Sequence, residues 1–317
     1  MDLGKDNDQL NPSKWTEVLH REIPELSGIA DLHVDKLFFE DSSDINHLHW
    51  KKIITHIDET YQFFDGFVIL HGTDTMAYTA SALSFALTNL GKPVIFTGSQ
   101  VPLNNLRSDA RRNLVNAVEL ATYPLSEVAI CFNDQLFRGN RATKMSIGDF
   151  DAFASPNFPA LAEVGLDIEF TITPQSPHGE FETSSEFSDR LFLLKLFPNL
   201  DPALLQPFTT SGLKAIIIEA FGSGNFPIRG NCNLLPFIEK CRETGINVVI
   251  TSQAPFDSID LSLYESGQTA LRLGAVSAGD MTVEAAITKT MHLLGKDVAG
   301  DQFKAQFEKN IAGERTN

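Results

Sequence analysis

The run Gly66–Phe67–Val68–Ile69–Leu70–His71–Gly72–Thr73–Asp74–Thr75–Met76 constrains the fold more than any other stretch of the chain. Its short apolar half reads as a buried strand, which Gly72 interrupts. The Thr-Asp-Thr cluster then opens a helical pattern to about Leu90, with Met76, Ala80, Leu83 and Leu87 on one face. In a parallel sheet such a junction lies at the carboxyl end of a strand, where open α/β folds place their ligands. Taken alone, the cluster is also ordinary capping chemistry, because short polar side chains satisfy the first N–H groups of a helix.

The same strand-and-helix alternation recurs on either side. Asn11, Pro12 and Ser13 start a helix through Trp15, Val18 and Leu19 that Pro24 ends, after a loop-like stretch over residues 1–10. A strand is expected near Leu32–Phe39, and Ile45, Leu48, Ile53 and Ile57 predict a helix leading into the opening run. Further on, Pro93–Thr97 and Glu127–Phe132 read as buried strands, with a helix over Arg107–Leu120 between them. Beyond Gly139 the pattern turns irregular, and residues 171–190, rich in Ser, Thr and Glu with two prolines, read as a linker. A second alternating set follows, with strands at Leu191–Phe197, Ala215–Ala220 and Ile246–Thr251. Its helices fall at Leu234–Thr244 and, last, Thr282–Leu294. Short links between alternating elements predict an α/β fold with parallel sheets. A larger N-terminal catalytic domain is expected over residues 1–170 and a smaller C-terminal α/β domain over 191–317.

Composition narrows the function classes. The 317 residues are 43% hydrophobic, with 24 Phe, which suffices for two cores or one large one. The Phe-rich segments 147–158 and 192–208 are expected in the core. A formal charge of -16 argues against nucleic acid and anionic membrane surfaces, both of which call for a basic patch. No apolar run is long enough to cross a bilayer, and the amino-terminal residues show no signal-peptide pattern. Cys131, Cys232 and Cys241 are too few and too scattered for a disulfide framework, so a reduced, cytoplasmic setting is expected. His33, His47, His49 and His56 cluster without a zinc spacing, and Phe221–Gly222–Ser223–Gly224–Asn225 lacks the ending of a phosphate loop.

Three strand ends carry small hydroxyl or carboxylate residues: Asp41–Ser42–Ser43–Asp44, Thr73–Asp74–Thr75 and Thr97–Gly98–Ser99–Gln100. Neighbouring parallel strands would bring them to one crevice, a polar pocket suited to a small zwitterion or amide. The segment Phe137–Arg138–Gly139–Asn140–Arg141–Ala142–Thr143–Lys144 supplies basic groups. A desolvated lysine beside a Thr and an Asp is one way to activate a hydroxyl, whereas a surface loop with solvated charges is the plainer reading.

The run His71–Gly72–Thr73–Asp74–Thr75–Met76–Ala77–Tyr78 closely resembles an active-site signature of bacterial-type L-asparaginases, in particular the cytoplasmic type I branch. Asp41–Asp44, Lys92–Pro102, Arg107–Asp109, Arg138–Lys144, Phe150–Asn157 and Gly279–Ala285 fall in the family's order, so the resemblance covers about residue 11 to the end. It implies a two-domain asparaginase-like fold and hydrolysis of L-asparagine to L-aspartate and ammonia with no metal or organic cofactor. It also implies a homo-oligomer, dimer or tetramer, with sites between subunits, to which the segment of Asn225 could reach. Thr73, Asp74 and Lys144 match the family's Thr-Asp-Lys group, with Thr73 as nucleophile or water activator. Asp41, Ser42 and Ser43 match the segment holding the substrate's amino and carboxylate groups, Asp74 would pair with the α-ammonium, and Ser99 lines the amide end.

One departure stands out. The family begins with a hydrophobic strand ending in Thr-Gly-Gly-Thr-Ile-Gly-Met, which carries a second catalytic threonine. Met1–Asp2–Leu3–Gly4–Lys5 reads like the residues just past that strand, and no Tyr occurs in residues 1–30, where the family keeps one on a mobile loop. A protein beginning at Met1 is expected to be inactive or unstable, and an upstream start codon would restore the strand. A glutaminase preference, an amidotransferase subunit and a non-catalytic amino-acid-binding or assembly paralogue are the alternatives.

Overall fold

The computed structural model describes residues 12–177 and 179–316, so the loop-like stretch read over residues 1–10 lies outside it. The chain divides into two compact units, Met1–Ser185 and Glu186–Asn317, with the break inside the segment expected as a linker. Both are α/β units, as the sequence pattern and the resemblance imply.

In the first unit, helix α1 (Pro12–Glu22) and a 3-10 turn at Pro24–Gly28 precede α2 (His47–Thr60), strand β1 (Phe67–Leu70) and α3 (Met76–Ala86). Asn46 starts α2 by accepting from Leu48 N, while its own N–H donates to His49 Nδ1. Buried residues lie all around α3, which accounts for an apolar pattern wider than one stripe. Short β2 (Leu87–Thr88) follows, then β3 (Val94–Thr97), α4 (Ala110–Leu120), β4 (Val128–Phe132) and β5 (Gln135–Arg138). Next come β6 (Thr143–Lys144), β7 (Phe153–Ala154), β8 (Ala162–Val164), β9 (Ile168–Phe170) and β10 (Glu182–Thr183).

The main sheet has the order β1-β3-β4-β5-β8-β9. Its first three strands are parallel, in a register that sets Leu70 beside Thr97. The carboxyl ends of β1 and β3 are therefore neighbours. The remaining pairs are antiparallel, so the sheet is mixed. The switch occurs at Asn133 and Asp134, both at positive φ, the geometry of a two-residue hairpin turn. The segment after Gly139 is irregular as expected, but Phe137 and Arg138 belong to β5. Helix α4 covers the sheet through Ala117 and Leu120 against Ile95, Ala129 and Cys131.

Two expectations differ from what is found. Residues 31–41 form no strand: no ladder pairs with them, and side chains anchor the segment instead. Leu32 and Val34 pack against Leu19, Ile23 and Val118, and Asp35 bridges His33 Nε2 (3.3 Å) and His56 Nε2 (3.1 Å). The expected linker is partly structural, because β10 pairs with β2 and Gln175 N donates to Glu127 Oε1.

The second unit is a parallel sheet in the order β11 (Leu191–Lys195), β12 (Ala215–Ala220), β13 (Asn247–Ser252) and β14 (Val276–Ser277). Alternate residues of β12 enter two cores. Ile216 and Ile218 join Phe237, Ile238 and Cys241 of α5 (Leu235–Glu243) and Ala270 of α6 (Glu265–Arg272). Ala215 and Ile217 join α7 (Val283–Gly295) and α8 (Gly300–Glu308). Coverage on both faces is why these strands read as continuous apolar runs. Helix α8, absent from the sequence reading, docks through Phe303 and Phe307. The Phe-rich segments divide: Phe153 is buried, but Phe150 and Phe197 are exposed, the latter just beyond an edge strand.

Two ionisable groups of α7 are buried. Lys289 Nζ donates to the carbonyls of Phe307 and Lys309 and pairs with Glu314. Burial lowers the pKa of His292 from 6.5 to about 3, so the folded protein keeps the ring neutral while the unfolded chain takes up a proton below pH 6.5. The unfolded state binds more protons across that window, so this group's contribution to stability is full above pH 6.5 and is lost as pH falls toward 3. Urea unfolding as a function of pH should show this acid limb, and His292→Gln should flatten it.

Candidate active site

Three turns meet at the carboxyl edge of β1 and β3. Asp41 caps the 3-10 turn Ser42–Asp44, with Oδ1 accepting from the Ser43 hydroxyl (2.7 Å) and the Ser43 N–H (2.8 Å). Those bonds, the hydroxyl's first, hold the Asp41 carboxyl below its ordinary value. Ser42 is buried, and its carbonyl accepts from Thr75 Oγ1 at 2.6 Å. A Cβ on Gly72 would lie 2.7 Å from Ser42 Cβ and Oγ, so the first two turns touch. A Cβ on Gly98 would lie 2.3 Å from the His71 carbonyl oxygen, so the second and third turns touch as well. Ser99 is half-buried in the third turn.

Lys144 enters from a later segment of the chain. Gly139 packs on Ala80 and Ser84 of α3, and the chain then brings Lys144 to Thr73 and Asp74, just ahead of that helix. Its Nζ lies 2.8 Å from Thr73 Oγ1 and 2.5 Å from Asp74 Oδ1. The ladder of β6 with β7 fixes its backbone, with Lys144 beside the buried Phe153. The side chain of Lys144 is 15% exposed and that of Asp74 is 64% exposed, so the pair has a buried cationic side and an open carboxylate side. The two arginines of the same segment have partners of their own. Arg138 forms a buried bidentate pair with Glu127, and both Arg138 and Arg141 lie over the Phe158 ring. A solvated loop was the plainer sequence reading. Arg138 and Arg141 are buried instead, because the hairpin carries the segment back beneath α3.

Behind Thr73 stands a group that sequence reasoning missed. His71 is buried, and burial lowers its pKa against the opposing hydrogen bond to the Gly72 carbonyl. The ring is therefore neutral, and Nδ1, 2.7 Å from that carbonyl, carries the proton because a carbonyl can only accept. Nε2 is then the acceptor for the Thr79 hydroxyl (2.9 Å), which in turn accepts from the Trp50 indole (3.1 Å). The chain from Trp50 to the Gly72 carbonyl fixes the peptide that precedes Thr73. A second missed residue is Gln100, whose Oε1 lies 3.2 Å from Thr73 Oγ1. Its place in the third strand-end cluster was the available signal.

The other sequence candidates lie elsewhere. His33 and His56 flank Asp35, and His49 belongs to the cap of α2. Asn225, in the second unit, accepts from Ser266 Oγ at 2.7 Å. Among the described residues no group of three or more His, Cys, Asp or Glu side chains is arranged to hold a metal ion. No helix among them is long and apolar enough to cross a membrane.

Comparison with known proteins decides the family. Residues 2–176 match the family model "Asparaginase, N-terminal" and residues 190–307 match "Glutaminase/Asparaginase C-terminal domain". The chain belongs to the asparaginase family. It is 42% identical to L-asparaginase 1 of Escherichia coli over 279 residues, 87% of this chain and 82% of that protein. The crystal structure of L-asparaginase I from Vibrio cholerae superposes with a TM-score of 0.87 at 37% identity, covering 96% of this chain and 93% of that one. Relatives with other names exist: the 60 kDa lysophospholipase of Mus musculus is 39% identical over 281 residues, 87% of this chain and 49% of that protein.

The contact between turns makes a direct test possible. Gly98→Ala forces a methyl group against the His71 carbonyl, and overpacking of this kind costs about 1–3 kcal/mol. Denaturant unfolding should show that loss, whereas Gly148→Ala, with open space around its Cβ, should unfold near the parent.

Proposed function

We propose that this asparaginase-family chain binds L-asparagine at the three turns and hydrolyses its side-chain amide to L-aspartate and ammonia. One observation carries the reading: a single lysine ammonium position within 2.8 Å of a threonine hydroxyl and 2.5 Å of a carboxylate, just past the carboxyl end of a parallel strand. A hydroxyl flanked by a lysine that an aspartate orients is one arrangement that activates a nucleophile for amide cleavage.

Each residue has a role in this reading. The Asp41–Ser43 turn and Asp74 take the α-carboxylate and α-ammonium, with the exposed face of Asp74 turned to the ammonium. Ser99 lines the amide end. Thr73 Oγ1, or a water it orients, attacks the amide carbon, and the C–N bond breaks as nitrogen leaves with an added proton as ammonia. An acyl-threonine, where formed, is released when water adds to the same carbon. Lys144 moves the protons and Asp74 holds it in place. The resemblance assigns a further threonine to the family's first strand, so residues 12–316 build the Thr73 half of the arrangement. The reading extends to a homo-oligomer in the cytoplasm. Glutamine, one methylene longer, is the competing amide.

Ammonia release from L-asparagine is the direct test. We expect release that Thr73→Val and Lys144→Met each lower about 100-fold or more, as loss of a nucleophile or its base does. Undiminished release in Thr73→Val would overturn the assigned roles. Calorimetry with L-aspartate separates binding from turnover. Saturable binding without ammonia release would favour the amino-acid-binding alternative.

A further inference from the structure

Two histidines of α2 form a line against the chain just ahead of the Asp41–Ser43 turn. His49 and His56 stand at i and i+7, two helical turns apart, so both fall on one side of α2. The Phe38 and His49 rings meet edge-on with centroids 4.8 Å apart, and Asp35 Oδ2 lies 3.1 Å from His56 Nε2. Lys52, between the two histidines, lies over the Phe38 ring at 5.9 Å. Three residues of extended chain and seven of helix each span about 10 Å, so the two contacts fit one antiparallel docking line. The Asp41–Ser43 turn lies in the bend that closes it.

Residues 31–41 depend on such a line because they form no strand, and no ladder fixes their register. Leu32 and Val34 are packed, but nearer the turn Leu37 is 38% and Phe39 61% exposed. Asp35 joins the two parts. Its Oδ1 lies 3.3 Å from His33 Nε2, and the His33 ring stacks on Phe64 at 5.5 Å. On the far side of the bend, His49 Nδ1 accepts from Asn46 N at 3.3 Å. A slip of one residue along α2 would carry the segment about 3.3 Å, more than the length of a hydrogen bond. The turn would then lose its place beside Gly72 and Thr75, which Ser42 now touches.

We propose that Asp35 is a positioning residue: by holding His56 it sets the register of residues 35–41 on α2, and with it the place of the turn that takes the substrate's α-carboxylate. The effect on substrate rests on the amide-hydrolysis reading, whereas the register does not. The turn serves the α-carbon end of the substrate and not the reacting amide. Contacts made alike in the ground and transition states act on KM. Asp35 therefore governs binding and leaves turnover to Thr73 and Lys144.

Hydrogen exchange and binding on the full chain test this. Asp35→Ala removes the carboxylate, His56→Leu removes its partner, and His56→Gln keeps an N–H donor at similar reach. Asp35→Ala and His56→Leu should each raise amide exchange in residues 41–45 about tenfold, the effect of one ordinary hydrogen bond, with residues 94–97 unchanged. His56→Gln should stay near the parent, and His56→Leu should add little in the Asp35→Ala background. Unchanged exchange over 41–45 in Asp35→Ala, or an undiminished increment from His56→Leu in that background, would overturn the register role. Exchange raised equally over 94–97 would mark general destabilisation and overturn it as well. In the second arm, KM for L-asparagine and Kd for L-aspartate should each rise about tenfold in Asp35→Ala, with kcat within about twofold. A fall in kcat alone, or unchanged KM and Kd, would overturn the positioning role. A parent that releases no ammonia would count against the hydrolase reading, and the exchange cycle would still decide for or against Asp35.

Discussion

Position 98 has no room for a side chain, because the His71 carbonyl oxygen lies 2.3 Å from where its Cβ would be. Position 72 is closed in the same way by Ser42, at 2.7 Å. These two contacts set the rest of the site. They bring three chain segments, each ending in short polar residues, within reach of one another at the edge of a buried sheet. The Thr75–Ser42 hydrogen bond and the chain from Trp50 through Thr79 and His71 to the Gly72 carbonyl then fix the peptide that carries Thr73. A buried neutral histidine suits this work, because its tautomer is dictated by the carbonyl it faces and it adds no charge beside Lys144.

The lysine is delivered by different physics. A parallel sheet alone would leave residue 144 far along the next crossover. Instead Asn133 and Asp134 turn the chain back on itself, β5 runs antiparallel to β4, and the segment from Gly139 returns beneath α3. Burial of the Arg138–Glu127 pair and the stacking of both arginines on Phe158 anchor that return. The cation arriving at Thr73 is thus held by packing as well as by Asp74. A buried ion pair seldom adds net stability, but it fixes a conformation, and here the conformation is what the site needs.

Much of this was legible in the sequence, for a physical reason. Strands buried on both faces are apolar throughout, and those at 94–97, 128–132 and 215–220 stood out accordingly, whereas the strand at 67–70, expected to be buried, is half-buried with Leu70 exposed because it ends the sheet order. The convergence of the second and third clusters followed from parallel register, whereas the Asp41–Asp44 turn has no strand before it and is joined to them through Ser42 against Gly72 and Thr75. What escaped were features decided by tertiary contact. Residues 31–41 alternate like a strand, yet anchor through Asp35 and two histidines because no neighbour offers a ladder. Helix α8 is short, and its two phenylalanines acquire meaning only against α7 and the second sheet. Gln100 and His71 sat within motifs that pointed to the site, but a side chain's partner across 27 or 8 residues of sequence is not written in local pattern.

In the proposed function the three turns and Lys144 form one site for an amino acid with a side-chain amide. The most direct measurement is a crystal structure with L-aspartate, the product of that reaction. The α-carboxylate should lie at the Asp41–Ser43 turn and the α-ammonium at Asp74. The side-chain carboxylate should lie within hydrogen-bonding distance of Thr73 Oγ1. Aspartate bound away from these turns, or with its α-carboxylate rather than its side chain against Thr73 and Lys144, would contradict that function.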